Sequence, residues 1–269
     1  IEENVLGAVH RYALTDQFFY MEDHECILNE GGKYNDNQHG WMFKNGEKLM
    51  LPVAGNAYIQ LGRCKYAKTD NITVTKKSDG SQVVAFSAYD ATCGDTTIFY
   101  NGAADTLVLS FANTAYLSKV NVYNVAGAIE KAASGYYEIP AGDAASFLLA
   151  LMQAADGDRI FLPNGLYDLG EIVLTTVSKN NVSIIGQSME GTIIRNAPAK
   201  ENEGISTTAI ILNTGNNLYM QDLTLRNDLD YYAVSTGRAV TLHDKGTHTI
   251  CKNVALLSYQ DTYYSNKPG

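Results

Sequence analysis

Two stretches decide how this chain is read: Ala209-Ile210-Ile211-Leu212 leading to Leu223-Thr224-Leu225, and Ala239-Val240-Thr241-Leu242 leading to Val254-Ala255-Leu256. They are near-copies, offset by about 30 residues, a spacing typical of repeat architectures. Each has short apolar strands and a tight polar turn, and Asn recurs at the strand edges (Asn181, Asn213, Asn217, Asn227, Asn253). A looser copy precedes them in Ile160-Phe161-Leu162, Glu171–Leu174 and Val182-Ser183-Ile184-Ile185-Gly186. Self-similarity of this kind predicts a solenoid of β-coils, in which one coil buries its apolar face only by stacking on the next.

Upstream of the repeats lies one convincing helix. Asp143 is a suitable N-cap, Ala144–Ala155 is an unbroken run of helix formers, and Phe147, Leu148, Leu151 and Met152 form an apolar stripe. Placed over the end of a β stack, such a helix covers backbone groups that would otherwise pair with another chain. The tract Ile129–Gly142, with Ser134-Gly135 and Pro140-Ala141-Gly142, reads as a linker.

The first half has a different rhythm. Short alternating or apolar runs occupy Lys48–Val53, Ala57–Leu61, Ile72–Thr75, Gln82–Ser87, Thr96–Tyr100, Thr106–Phe111 and Val120–Val125. Turn pairs such as Asn45-Gly46, Gly55-Asn56, Asp79-Gly80 and Asn101-Gly102 separate them. Regularly spaced strands without helical periodicity predict an antiparallel β-sandwich. The expected organisation is therefore all-β: a sandwich over residues 1–128, a linker over 129–142, and a solenoid with one capping α-helix over 143–269. Trp41, Tyr34, Phe18, Phe19 and Tyr20 are candidates for a sugar-stacking platform in the first part, with core packing as the competing explanation.

Composition narrows the function classes. A net charge of −9, with no Lys/Arg stripe, excludes an ordinary nucleic-acid binder. No apolar run approaches the roughly 18 residues of a membrane span. The chain opens on Ile1-Glu2-Glu3-Asn4, which is no signal sequence, so an exported protein is expected to have lost its leader. Cys26, Cys64, Cys93 and Cys251 are scattered without metal-site spacing and read as small buried thiols.

From Gly142 onward the chain resembles the pectinesterases, carbohydrate esterases built on a right-handed parallel β-helix. The resemblance begins with the helix and Gly157-Asp158-Arg159-Ile160-Phe161-Leu162-Pro163-Asn164-Gly165-Leu166-Tyr167. It continues through Val182–Ser188, Gly191-Thr192-Ile193-Ile194 and Tyr219-Met220-Gln221-Asp222-Leu223-Thr224-Leu225-Arg226-Asn227. It then passes Arg238-Ala239-Val240-Thr241-Leu242 and reaches Tyr259-Gln260-Asp261-Thr262-Tyr263-Tyr264. The resemblance implies that Asp261 is the general acid of a "QDT" motif and Gln260 an oxyanion-hole donor. A strand-end carboxyl beside an amide suits both tasks. The family's "QAVAL" glutamine falls on Arg238, which can pair with a galacturonate carboxylate as a substrate-binding residue. The family's nucleophilic Asp ("DFIFG") and its "LGRPW" motif find no counterpart before Gly269.

The resemblance thus implies hydrolysis of pectin methyl esters to carboxylate and methanol, with pectin or homogalacturonan as partner and no cofactor or metal. The β-helix is expected to be truncated and the chain an inactive fragment, secreted, periplasmic or on the cell surface. Self-association through the open end of the solenoid is expected as well. Two other readings stand beside it: a non-catalytic polysaccharide-binding protein, and a pectate-lyase-like β-helix. The lyase would need clustered carboxylates for Ca²⁺. His243 and His248, flanking Asp244-Lys245-Gly246, read as exposed turn residues.

Overall fold

The structure is a computed structural model and describes residues 2–4, 7–12, 27–28, 41–43, 45–46, 48–65, 72–86, 93–124, 129–200, 203–234 and 237–266. Backbone packing divides the chain into two compact units, one chiefly Gly7–Ala126 and the other chiefly Gly127–Gly269.

The first unit is antiparallel. Its strands are β1 (Glu2–Asn4), β2 (Gly7–Tyr12), β3 (Ile27–Leu28), β4 (Trp41–Phe43), β5 (Lys48–Val53) and β6 (Ala57–Lys65). They continue with β7 (Ile72–Lys76), β8 (Gln82–Phe86), β9 (Cys93–Tyr100), β10 (Asp105–Phe111) and β11 (Ala115–Asn124). One sheet runs β1-β2-β11-β4-β3, with β6 pairing both β11 and β9, and the other runs β5-β10-β7-β8. Alternation along each strand sends every second apolar side chain to the same face. Leu49, Leu51 and Val53, Ala57, Ile59 and Leu61, and Leu107, Leu109 and Phe111 all enter one buried cluster fed by both sheets. Phe43 and Phe111 stack within it at 4.3 Å. Of the aromatic residues singled out for sugar stacking, Trp41 lies in β4, and Phe18, Phe19, Tyr20 and Tyr34 lie outside the described residues.

The second unit is parallel. It opens with β12 (Tyr137–Glu138) and the helix α1 (Ala144–Gln153), followed by β13 (Arg159–Leu162), β14 (Gly165–Asp168), β15 (Thr175–Val177), β16 (Ser183–Gly186) and β17 (Thr192–Asn196). Next come β18 (Ile211–Asn213), β19 (Tyr219–Asn227), β20 (Leu242–Asp244), β21 (Ile250–Leu257) and β22 (Tyr263–Ser265). Three in-register ladders result. The first is β12-β13-β16, continued by the front halves of β19 and β21; the second is β14-β17, continued by their rear halves; the third is β15-β18-β20-β22. In-register pairing stacks like on like, so Ile160, Ile184 and Met220 form one buried column and Tyr167, Ile194 and Leu225 another. This is the repeat seen in the sequence, with Ile211 opposite Leu242 and Leu223 opposite Val254.

The recurrent asparagines hold the corners. Asn227 is buried, its Nδ2 donates to the carbonyls of Thr208 (2.9 Å) and Val240 (2.8 Å), and its Oδ1 accepts from Leu229 N. Asn196, one coil earlier, donates to Ile172 O and to the same Thr208 O. On the outside Asn217 donates to Asn181 and Asn253 to Asp222, all four residues having left-handed backbone angles. Asn and Asp tolerate that conformation better than other non-glycine residues. Gly215 and Gly246 occupy another corner, where a Cβ on Gly246 would collide with the Gly215 carbonyl oxygen.

Asp143 caps α1 through Oδ1, accepting from Ser146 N at 3.0 Å. Leu149 and Ala150 are buried together with the expected Phe147, Leu148 and Leu151, and Phe147 meets Tyr167 edge-on at 6.3 Å. The helix is therefore enclosed on more than one stripe. Part of the tract read as a linker belongs to the parallel sheet: β12 pairs with β13, and Tyr137 and Ile139 are buried. A two-residue strand is too short to show periodicity, and turn residues on both sides masked it. Glu171–Leu174 is no strand. Ile172 and Val173 are buried at a corner where Leu174 turns with φ +56, ahead of β15.

Asn227→Ala leaves the buried Val240 carbonyl and the Leu229 N–H unpaired, and the Thr208 carbonyl with its Asn196 bond alone, and is expected to destabilise the protein by about 2–3 kcal/mol. Asn217→Gly, which keeps the left-handed backbone and removes only an exposed rung, is expected to cost under about 1 kcal/mol. Urea unfolding of the two variants beside the parent measures the difference, and equal losses would show that the inner amides do not hold the corners.

Candidate functional site

Three backbone segments, one from each of three successive coils, lie side by side before the third ladder. Gly204 bridges Ala239, and Arg238 bridges Gln260. Gly204 N donates to Arg238 O (3.2 Å), Ala239 N to Gln260 O (3.0 Å) and Thr241 N to Thr262 O (2.9 Å). Side chains tighten the stack: Thr208 Oγ1 accepts from Val240 N, Thr241 Oγ1 donates to Thr262 O, and Ser258 Oγ donates to Thr262 Oγ1. The sequence candidates Arg238, Gln260 and Asp261 are thereby brought to one place on neighbouring coils.

The Gln260 side chain is exposed and Asp261 is half-buried, and among the described residues neither has a side-chain hydrogen-bond partner. Asp261 holds φ +58, a left-handed conformation. It lies between β21 and β22, and such a backbone costs of order 1 kcal/mol or more when the residue is not glycine. Conformation alone does not mark a functional residue here, because Asn181, Asn217 and Asn253 adopt it at structural corners.

Arg238 is anchored. Its backbone N–H and its Nε both donate to Oε1 of Glu203, at 3.2 and 3.1 Å. Glu203, whose side chain is 15% exposed against 38% for Arg238, escaped the sequence reading. It lies one coil upstream, and only the repeat spacing could have pointed to it. Tyr231 is a second omission. It belongs to a short 3-10 turn (Tyr231–Ala233), stacks on Tyr259 with centroids 5.0 Å apart, and lies over Gly237, where a Cβ would strike its ring. Tyr231, Tyr232 and Tyr259 are all exposed, so a half-open aromatic patch adjoins Arg238 and Gln260.

His243 overturns its sequence reading. It is 2% exposed rather than a turn residue, because β20 is flanked on both sides by β18 and β22, which place Leu212 and Tyr264 in register with it. The Tyr264 ring lies 4.9 Å away, and neither imidazole nitrogen has a partner among the described residues. Burial pushes its pKa down to about 4, with Lys245 adding to the effect and Asp244 opposing it. Asp244 is buried too, accepting from Asn213 Nδ2 and Gly246 N. His248 is exposed, as expected. Cys251, expected to be buried, is exposed: β21 pairs with β19 alone among the described strands, which leaves its front half open. Among the described residues no helix is long and apolar enough to cross a membrane.

With this geometry in view, comparison with known proteins is informative. The Pectinesterase family model matches residues 147–268. Pectinesterase A of Dickeya dadantii (strain 3937) is 28% identical over 125 residues, covering 39% of this chain and 33% of the relative. Among solved structures, pectin methylesterase PemA from Erwinia chrysanthemi is 27% identical with a TM-score of 0.38, covering 42% of this chain and 38% of that one. A pectin methylesterase in complex with hexasaccharide VII is 25% identical with a TM-score of 0.40, covering 52% and 45%. The chain spans about a third of the length of the curated relatives it matches. The similarity to pectinesterases thus falls within the second unit.

His243 binds its proton more weakly in the folded protein than at its ordinary value of 6.5. Stability is therefore full above about pH 6.5 and falls as the pH drops towards about 4, by at most about 3 kcal/mol. His243→Leu is expected to flatten that interval. Urea unfolding at pH 7 and pH 4.5 tests it, and an undiminished loss in the variant would assign the dependence to other groups.

Proposed function

We propose that the second unit takes part in hydrolysis of pectin methyl esters, with Asp261 as general acid and base, Gln260 as oxyanion donor and Arg238 as a substrate-binding residue. The observation that carries this reading is the convergence of the three residues on adjacent coils within a segment that matches the pectinesterase model. In the proposed reaction a carboxylate attacks the ester carbonyl carbon. The Gln260 amide donates to the oxygen as it gains charge. The C–O bond to methoxide breaks as Asp261 delivers the proton that releases methanol. Asp261, now ionised, takes a proton from water, which attacks the acyl–enzyme carbonyl and regenerates both carboxyls. The reading assigns the nucleophilic carboxylate to none of the described residues. On this proposal the 269-residue chain by itself is inactive.

The half-open position of Asp261 supports the role, since an acid that must meet solvent water cannot be sealed in a core. The aromatic patch formed by Tyr231 and Tyr259 suits the apolar face of a pyranose, which supports a polysaccharide ligand. We read the first unit, two antiparallel sheets around one core, as a β-sandwich serving as an accessory or carbohydrate-binding module. An extracytoplasmic setting fits a polymer substrate of this size.

Methanol release from highly methylated pectin is the test, using the 269-residue chain and the product of its whole gene. The whole product is expected to be active. Asp261→Asn, which keeps a residue tolerant of positive φ, is expected to lower kcat by about 10²–10⁴-fold. Gln260→Ala is expected to cost about 10²–10³-fold. Full activity of Asp261→Asn would remove Asp261 from the mechanism, and silence of every protein alongside retention on immobilised pectin would leave a binding role.

A further inference from the structure

The ion pair between Glu203 and Arg238 bears on a property that no sequence motif reports, namely which form of pectin the site favours. We infer that Glu203 is a specificity-determining residue that neutralises Arg238 and so biases the site towards methyl-esterified over free galacturonate. The inference rests on the reading of this site as pectin-binding.

A guanidinium at the edge of a polysaccharide site would ordinarily favour free carboxylates, which it can bind through two parallel charge-assisted hydrogen bonds. Here the cation already has an anionic partner. Glu203 Oε1 accepts from Arg238 Nε at 3.1 Å and from the Arg238 backbone N–H at 3.2 Å. Glu203 is the less exposed of the two side chains, 15% against 38%. Its neighbour Gly204 is tied to the Arg238 carbonyl and bridged to Ala239, so the carboxylate is carried on backbone registered to the arginine.

The pair therefore presents N–H donors with almost no net charge. An ester carbonyl loses little by this, because it needs only a donor. A galacturonate carboxylate loses the Coulomb attraction and also meets the Glu203 charge at a separation well inside the Debye length of about 8 Å. The chain's net charge of −9 acts in the same direction at longer range, repelling a polyanion more than its neutral ester.

Glu203→Gln isolates the effect, since the amide oxygen can still accept both hydrogen bonds while the charge is gone. The measurement is calorimetric binding of hexagalacturonate and of its fully methyl-esterified counterpart, at low and at physiological salt. The parent is expected to bind the ester more tightly. In Glu203→Gln the ratio of the two Kd values should move towards the free acid by about three- to tenfold at low salt, the shift shrinking as salt rises. Arg238→Gln, which leaves the Glu203 charge uncompensated, should move the ratio further towards the ester. An unchanged ratio in Glu203→Gln, a ratio that fails to move towards the ester in Arg238→Gln, or a parent that prefers the free acid would each overturn the inference. Binding of neither oligomer by any of the proteins would instead bring down the pectin reading beneath it.

Discussion

The second unit depends on backbone pairing between coils. A β-coil satisfies few of its own amides, and the N–H and C=O groups along its three faces find partners only on the coils above and below. In-register pairing has a strict consequence: whatever stands at one position meets its counterpart in the next coil. An isoleucine column such as Ile160 and Ile184 packs well under that rule. The corners are harder, since the chain must turn there and ladder bonds lapse. Asn196 and Asn227 solve this inside the stack by giving both amide hydrogens to corner carbonyls, sharing Thr208 O between them.

The same rule builds the candidate site. Arg238, Gln260 and Asp261 are far apart in any local pattern, yet registered stacking sets the segment holding Arg238 against the one holding Gln260. Position follows from the repeat, while chemistry follows from the few residues that depart from it. Asp261 and Gln260 stand where a structural corner would do with any polar residue. A repeat fold can thus place reactive groups with a ladder's precision without dedicating a loop to them.

How much of this was legible from sequence follows the range of each interaction. The strands of the first unit could be read because alternation is local, and β5 spans the predicted Lys48–Val53 without change. The helix and its Asp143 cap were legible for the same reason. Failures came where a neighbouring coil decides. Turn residues around His243 suggested exposure, but the strands on both sides of β20 bury it. Glu171–Leu174 looked like a strand because its apolar content suits one, yet a corner buries apolar residues equally well. Glu203 gave no local signal, since it belongs to no motif and its partner Arg238 lies 35 residues away on the next coil.

That last pairing shows how an arginine can stand at the candidate site without adding net charge. An arginine there without Glu203 would bring an unbalanced charge beside Gln260. Held by Glu203 through two bonds to one oxygen, it becomes a neutral donor assembled from two residues, closer to an amide in charge and broader in reach. The cost is that two side chains must now stay in place, and the same stacking that joins Gly204 to the Arg238 segment keeps them there. The coil-to-coil register therefore governs the charge of the site as well as its shape.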